Sequence, residues 1–252
     1  MTVFYTIIFF ILGAVLASFY GVVGTRLPEG KSIIKPGSHC DTCNHPLGFL
    51  DLIPIFSYIF SKGKCRHCKE KVSIINPITE FITGLLFALA YLHYGLSYHF
   101  LISLILISLL ILIYITDFKY MIILDSPLVI SGISIFFLNL FFYNFKYAIQ
   151  SLASGLILFL FMLFIAWIGK LLFKREALGG GDIKLSFIIG MVLHVPHAFL
   201  ALVLSTFLAL PYATFSMLST KEKEVPYGPF LIAALCIVFL FYQKFNYILM
   251  LF

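Results

Sequence analysis

Two aspartates stand where apolar runs meet basic loops. Asp117 closes the run 100–116, and Asp182 lies in Leu178-Gly-Gly-Gly-Asp-Ile-Lys-Leu185. An ionisable side chain at the edge of an apolar span costs free energy unless it has a partner or a task. Two carboxyl groups held a few ångströms apart cannot both ionise easily, so they share a proton. The ionised partner can take a proton from water while the protonated partner donates to the carbonyl that the water attacks. That chemistry needs no covalent intermediate, and it predicts peptide hydrolysis at a membrane face. Each carboxylate also has a plainer reading, as a helix cap or as the partner of Lys119 or Lys184. Asp125 is the rival to Asp117, and Asp125-Ser126-Pro127 reads better as a helix start with Pro in its first turn.

A second constellation is made of thiols. Cys40-Asp-Thr-Cys43 and Cys65-Arg-His-Cys68 are separated by 21 residues. Each CxxC turn can aim two thiolates at one tetrahedral ion, and four close the shell of a structural zinc, so the metal ligands are Cys40, Cys43, Cys65 and Cys68. His39, His45 and His67 are alternative ligands that read better as neighbours, and a redox dithiol is the competing use of the cysteines. Cys236 reads as a small buried apolar residue.

The elements that must position these groups are almost all apolar. The chain has 252 residues, 62% of them hydrophobic and 11% charged, with a mean hydropathy of +1.06. An all-α polytopic membrane protein follows. About eight transmembrane helices are expected, over 3–23, 77–94, 100–116, 127–143, 147–168, 183–195, 198–218 and 230–251. The sixth is only 13 residues long and ends at Pro196. It reads as a half-span beside a thinned or water-filled region. The first reads as an uncleaved span, because Met1-Thr-Val-Phe has no basic n-region. Glu80 falls one turn into the second span, where it needs a basic partner or a role in placing a substrate. Trp167 and tyrosines near span ends read as interfacial anchors. No internal repeat or lipidation signal is apparent.

The formal charge of +6 suggests nucleic acid until its distribution is considered. With the N-terminus outside and eight crossings, the inside loops 24–76, 117–126, 169–182 and 219–229, together with Lys184, hold 15 of the 17 Lys and Arg residues. Only Lys146 and Lys244 fall outside. This asymmetry predicts both termini outside and accounts for the charge with no nucleic acid. Three parts follow: the first helix (1–23), a cytoplasmic cysteine-rich loop (24–76), and the remaining helices (77–252).

Gly179, Gly180, Gly181 and Asp182 fit the GxGD pattern of intramembrane aspartyl proteases, a weak signal alone and one shared with presenilin-like enzymes. Joined to the double CxxC loop and to Val225-Pro-Tyr-Gly-Pro-Phe230, it resembles the type IV prepilin peptidases over nearly the whole chain. Ile53-Pro54, Ser57, Gly63-Lys64, Pro77, Glu80 and the stretch 117–125 stand in family order. The resemblance implies an aspartic endopeptidase in a prokaryotic cytoplasmic membrane. Its substrates would be prepilins or pseudopilins, whose short basic leader is removed after a glycine on the cytoplasmic side. It also implies Asp117 and Asp182 as the catalytic pair, with Gly179, Gly180, Gly181, Lys184 and Glu80 near the substrate. In many members the same chain then N-methylates the new terminus with S-adenosylmethionine. Three departures fall outside the pair: Leu52 replaces an Asn, Ile75-Asn76 replace Arg-Tyr, and Leu124 replaces a Pro. Several lie in the segment associated with methyl transfer.

Two other classes compete, a non-enzymatic membrane adaptor built on a zinc module and a thiol oxidoreductase. Loss of function on replacing Asp182 separates the peptidase from both. Partners are the substrate and the lipid bilayer, and no pattern specifies an oligomeric state.

Overall fold

The computed structural model describes residues 1–174, 178–219 and 225–249. Arg175, Lys221 and Lys223 of the basic loops, and the end of the expected eighth span at 250–251, lie outside the described residues. Those described form helices α1 (Thr2–Arg26), α2 (Phe56–Phe60), α3 (Ile75–Tyr94), α4 (Tyr98–Tyr120), α5 (Asp125–Phe142), α6 (Phe145–Phe173), α7 (Gly180–Ser219), α8 (Gly228–Leu240) and α9 (Tyr242–Leu249). The chain divides into two compact units, Met1–Ile115 and Thr116–Phe252, with the boundary inside α4.

Among the described residues six helices are long and apolar enough to cross a membrane, α1, α3, α4, α5, α6 and α7 taken as a whole, where about eight were expected. The count differs for two reasons. The expected eighth span stops after 13 residues as α8, and the chain restarts as α9. α7 counts once although it holds the expected sixth and seventh spans as two arms, separated by a break at His194 (φ 58°, ψ 170°) two residues before Pro196. That backbone region is almost reserved for glycine and costs about 1–3 kcal/mol. The imidazole is held in place: Nε2 lies 3.0 Å from the Tyr147 hydroxyl and Nδ1 lies 3.4 Å from Ser154 Oγ. Beyond the break α7 runs back along itself. Ser205 hydrogen-bonds the Tyr227 hydroxyl, and the same tyrosine lies in the field of Asp182. On a straight helix residues 182 and 205 would be roughly 35 Å apart.

Residues 180–193 span only about 20 Å at 1.5 Å per residue, short of the ~30 Å hydrocarbon core. They are short because they face protein. Leu185, Ile188, Ile189, Met191 and Leu193 are buried in the centre of the second unit. The arm is as short as the expected sixth span, and its buried face meets protein. α8 is similar, with Leu231, Ile232, Ala234, Leu235 and Val238 buried. The longer helices expose one side: Val129, Ile133 and Phe137 on α5, and Leu160, Phe164 and Trp167 on α6. Their other faces follow helical spacing, as with Leu128, Ser131, Ile135 and Asn139 of α5.

Apolar attraction between helices vanishes in lipid, so backbones must come close enough for dispersion and hydrogen bonding to act. Small residues allow this in both units. In the first, a Cβ on Gly84 of α3 would lie 2.7 Å from the Phe10 carbonyl oxygen of α1. In the second, a Cβ on Gly190 of α7 would lie 2.5 Å from the Ser154 carbonyl oxygen of α6. Next to that contact, Ser151 Oγ donates to the Met191 carbonyl at 2.6 Å. By contrast, Gly21 of α1 has open space around it. Gly190→Ala is therefore expected to destabilise the protein by about 1–3 kcal/mol. Gly21→Ala should be neutral or gain up to ~1 kcal/mol from helix propensity. Thermal unfolding of the two variants in one detergent checks the contrast.

Candidate functional site

Asp117 and Asp182 both belong to the second unit and are 6% and 8% exposed. Asp117 lies one turn before the end of α4, and its Oδ2 accepts the backbone N–H of Gly228 at 3.0 Å. That N–H is one of the unpaired donors opening α8. Asp182 is the third residue of α7, and its carboxylate accepts the backbone N–H of Gly179. Its Oδ1 is buried and finds no hydrogen-bond partner among the described residues. The two carboxyl groups are near enough that Asp182 lies in the field of Asp117. The structure thus brings near one another two residues that are 65 positions apart in the chain.

The three glycines before Asp182 do different things. A Cβ on Gly181 would lie 2.7 Å from Cβ of Ile123, so this position brings the start of α7 against the 121–124 turn. Gly179 sits under the Asp182 carboxylate, where a Cβ would lie 3.1 Å from Oδ2. Gly180 has nothing within reach of a Cβ.

Lys184 forms a two-pronged ion pair with Asp125, at 2.6 and 2.8 Å. Asp125 is the first residue of α5 and Leu124 the N-cap, with no side-chain cap bond. The aspartate therefore pairs with a lysine instead of capping the helix as expected, and it is separate from the buried carboxyls. Three neighbours were not singled out from the sequence. Tyr227 and Gly228 lie in a quoted segment with no role assigned, and Ser205 lies in a featureless apolar run. Phe118, Tyr212 and Phe230 also form a ring cluster, with centroids 5.6 to 6.5 Å apart, that ties the end of α4 to α7 and α8. Such contacts join distant segments and leave no local periodicity to read.

Glu80 belongs to the first unit. Its buried Oε2 accepts the N–H of Ile55 at 2.7 Å, and Ser18 of α1 bonds the same carboxylate. Its partners are a backbone amide and a hydroxyl, where a basic side chain or a role in placing a substrate was expected. Ile55 has φ 64° and ψ −54°, and the N–H of Phe56 reaches back to the Pro54 carbonyl at 2.6 Å. This is the γ-turn of positive central φ, rare and strained, here at a β-branched residue. Glu80 holds that turn.

Cys40, Cys43, Cys65 and Cys68 converge, their sulfurs all within 4.8 Å of one another. Two equivalent knuckles bring them together. Cys40 N–H bonds the His45 carbonyl and Asn44 N–H bonds the Cys40 carbonyl, while Cys65 N–H bonds the Glu70 carbonyl and Lys69 N–H bonds the Cys65 carbonyl. Asn44 (φ 54°) and Lys69 (φ 63°) turn the chain at matching places. This local repeat escapes the sequence because only the cysteines match. His45 and His67 stack between the knuckles, 3.4 Å apart, and His39 Nδ1 lies 2.9 Å from the Gly37 carbonyl oxygen. The cluster of metal-ligating groups holds none of the three.

The thiols suit a zinc ion. Sulfurs 2.3 Å from a tetrahedral centre would be about 3.8 Å apart, and Cys40 and Cys68 are 3.8 Å apart across the two knuckles. The N–H groups of Cys43 and Thr42 hold the Cys40 thiol down to about 6. The N–H of Glu70 favours a Cys68 thiolate, but desolvation and the sulfurs of Cys65, Cys43 and Cys40 push that thiol up to about 12. Four sulfurs this close suit a divalent cation, whose charge would favour the thiolate form of its ligands.

Residues 11–94 match the Bacterial Peptidase A24 N-terminal domain, and residues 104–214 match the Type IV leader peptidase family. The chain is similar to the prepilin leader peptidase/N-methyltransferase of Bacillus subtilis (strain 168), 35% identical over 247 residues, 93% of either chain. It is similar to the prepilin leader peptidase/N-methyltransferase of Vibrio cholerae serotype O1, 31% identical over 93% of this chain and 96% of the relative. With that of Myxococcus xanthus (strain DK1622) it is 33% identical over 75% of this chain and 56% of the relative. No solved structure matches the chain.

The close approach at Gly181 can be tested by relief. Gly181→Ala is expected to lower stability by about 1–3 kcal/mol through overpacking. Ile123→Ala in the same chain should recover part of the loss. Gly180→Ala should leave the melting temperature unchanged. Thermal unfolding of the three variants checks the set, and equal losses at Gly180 and Gly181 would contradict the geometry.

Proposed function

The chain belongs to the type IV leader peptidase family, and from that premise we propose that Asp117 and Asp182 activate the water that cuts a prepilin or pseudopilin leader. It is an enzyme with peptidase activity in a multi-pass membrane protein. The observation that carries the assignment is the buried Oδ1 of Asp182, unpartnered and near a second buried carboxyl. A buried polar atom without a partner needs an explanation, and a water awaiting deprotonation is one. The Gly228 N–H fixes the orientation of Asp117 through its Oδ2. In the reaction one carboxylate removes a proton from water. The water oxygen adds to the scissile carbonyl, and the protonated partner hydrogen-bonds the oxygen that takes up the charge. Proton transfer to the leaving nitrogen breaks the bond and resets the pair.

Cleavage follows a glycine on the cytoplasmic side, with both termini outside. The positive-inside asymmetry supports this orientation. So does the sorting of the second unit: 117, 123–125, 181–184, 205 and 227–228 gather at one end, while Tyr147 meets His194, and Tyr242 stacks on His197, at the other. The relatives' names couple peptidase to N-methyltransferase. We therefore place transfer of a methyl group from S-adenosylmethionine to the new N-terminus on the same chain, with loop 24–76 attached to that activity and 77–252 to hydrolysis. Zinc on the four cysteines has a structural role.

Co-expression with a prepilin, followed by mass and N-terminal analysis of the product, tests both activities. Wild type should yield a shortened, methylated chain. Asp117→Asn and Asp182→Asn should each leave the leader intact while the enzyme stays in the membrane, and Asp125→Asn should retain cleavage. An essential Asp125 with a dispensable Asp117 would sink the assignment.

Elemental analysis of the purified protein should find one zinc per chain. Cys43→Ser with Cys68→Ser should lose the metal and lower the unfolding temperature. Metal-free wild type of unchanged stability would count against a structural zinc.

A further inference from the structure

The first loop exposes far more apolar surface than a water-facing loop should. Phe49, Leu50, Leu52, Phe56, Ile59 and Phe60 are all exposed, Phe49 to 83% and Phe60 to 75%. Soluble surfaces rarely show contiguous apolar groups of this size unless something covers them. These residues come from two short elements, the 3₁₀ turn Phe49–Asp51 and α2, and the Phe56 and Phe60 rings stack at 6.3 Å.

Their height relative to the membrane can be judged. Ile55, immediately before α2, is bonded to Glu80, the sixth residue of α3. Five residues of helix rise about 7.5 Å. The γ-turn is therefore held level with the second turn of a membrane-length helix, not beyond its end. Ile74, Ile75 and Ile78 at that end of α3 are also exposed, so apolar surface continues from the span to the loop. Cations adjoin the patch. Phe60 shares a hollow of ≈ 430 Å³ with Lys62, Lys64, Arg66 and Lys69. Among these Arg66 is paired with Asp51 at 3.1 Å, and Lys69 Nζ donates to the Arg66 carbonyl.

We propose that this aromatic strip lies in the bilayer interface, with its rings among the acyl-chain ends and its lysines at the level of anionic lipid phosphates. Large apolar side chains beside Lys and Arg, on one face and at membrane height, are the features of an interfacial anchor. The occupant is lipid rather than a basic substrate segment, because the lysines would repel the latter. The zinc knuckles would then be fixed to the membrane at two places, through the ends of α1 and α3 and through this strip. The strip's position does not depend on the peptidase assignment.

The test uses the full chain in nanodiscs. Trp167 is the only tryptophan, so Trp167→Phe gives a dark background for Phe60→Trp and, separately, Phe49→Trp. In discs containing phosphatidylglycerol, both reporters should emit at blue-shifted wavelengths. Lipids brominated on the acyl chains should quench them, and aqueous acrylamide should reach them poorly. Adding Lys62→Gln and Lys64→Gln should remove the difference between phosphatidylglycerol and purely zwitterionic discs. Circular dichroism confirms that each variant keeps its helices. The proposal fails if both reporters are open to acrylamide and blind to bromolipid. It also fails if they become shielded only on adding a prepilin, or only as the protein dimerises.

Discussion

A carboxyl group at membrane depth must be surrounded by protein, because neither lipid nor an uncompensated interior tolerates it. The rest of the second unit can be understood from that constraint. Asp117 and Asp182 are buried among helices, and the elements next to them, residues 180–193 and α8, are the ones too short to span hydrocarbon. A lipid-facing helix must match the bilayer's thickness. An interior helix need only match its neighbours. Short inner helices inside longer outer ones bring two helix ends, the C-terminal turn of α4 and the N-terminal turn of α7, to a common level below the surface.

This arrangement imposes a cost elsewhere. Folding residues 195–219 back along 180–193 needs a reversal with no room for a loop, and His194 takes it up in a backbone region that suits glycine. The imidazole contacts with Tyr147 and Ser154 tie the break to α6: glycine would relax the backbone but lose both contacts. The glycine contacts between α6 and α7 act on the same element. Gly190 and Gly155 bring the backbones close enough for Ser151 to bond a main-chain carbonyl of α7, which locks the helix carrying Asp182.

What the sequence revealed follows the range of the interactions. Apolar runs, the CxxC pairs and GxGD are local patterns, and each corresponds to an observed element or cluster. The break at Pro196 was legible too, but not its geometry, because proline marks where a helix is disturbed and not the direction in which the chain leaves. The last span was overestimated because an apolar run through Phe241 carries no stop signal, although the helix ends there. Glu80 was noticed for its cost, but its partner, the Ile55 amide, lies 25 residues away on a strained turn that no propensity suggests for isoleucine. Tyr227, Gly228 and Ser205 were missed as neighbours of the carboxyls for the same reason: long-range packing alone places them there.

The sorting of charge around α7 shows how one helix keeps a salt bridge and a buried carboxyl apart. Asp182 and Lys184 are two positions apart, and residues at that spacing do not face each other on a helix. Lys184 therefore turns outward and takes Asp125, where both groups are solvated and an exposed pair contributes little, about 0–1 kcal/mol. Asp182 turns inward, where its recorded neighbours are a backbone N–H, a tyrosine and a second carboxyl. A lysine in that space would hold the pair ionised and leave no proton to donate. The same argument explains the choice of polar partners. Backbone N–H groups from Gly179 and Gly228 orient the carboxyls without adding a cation, an arrangement that suits the shared proton of the proposed hydrolysis.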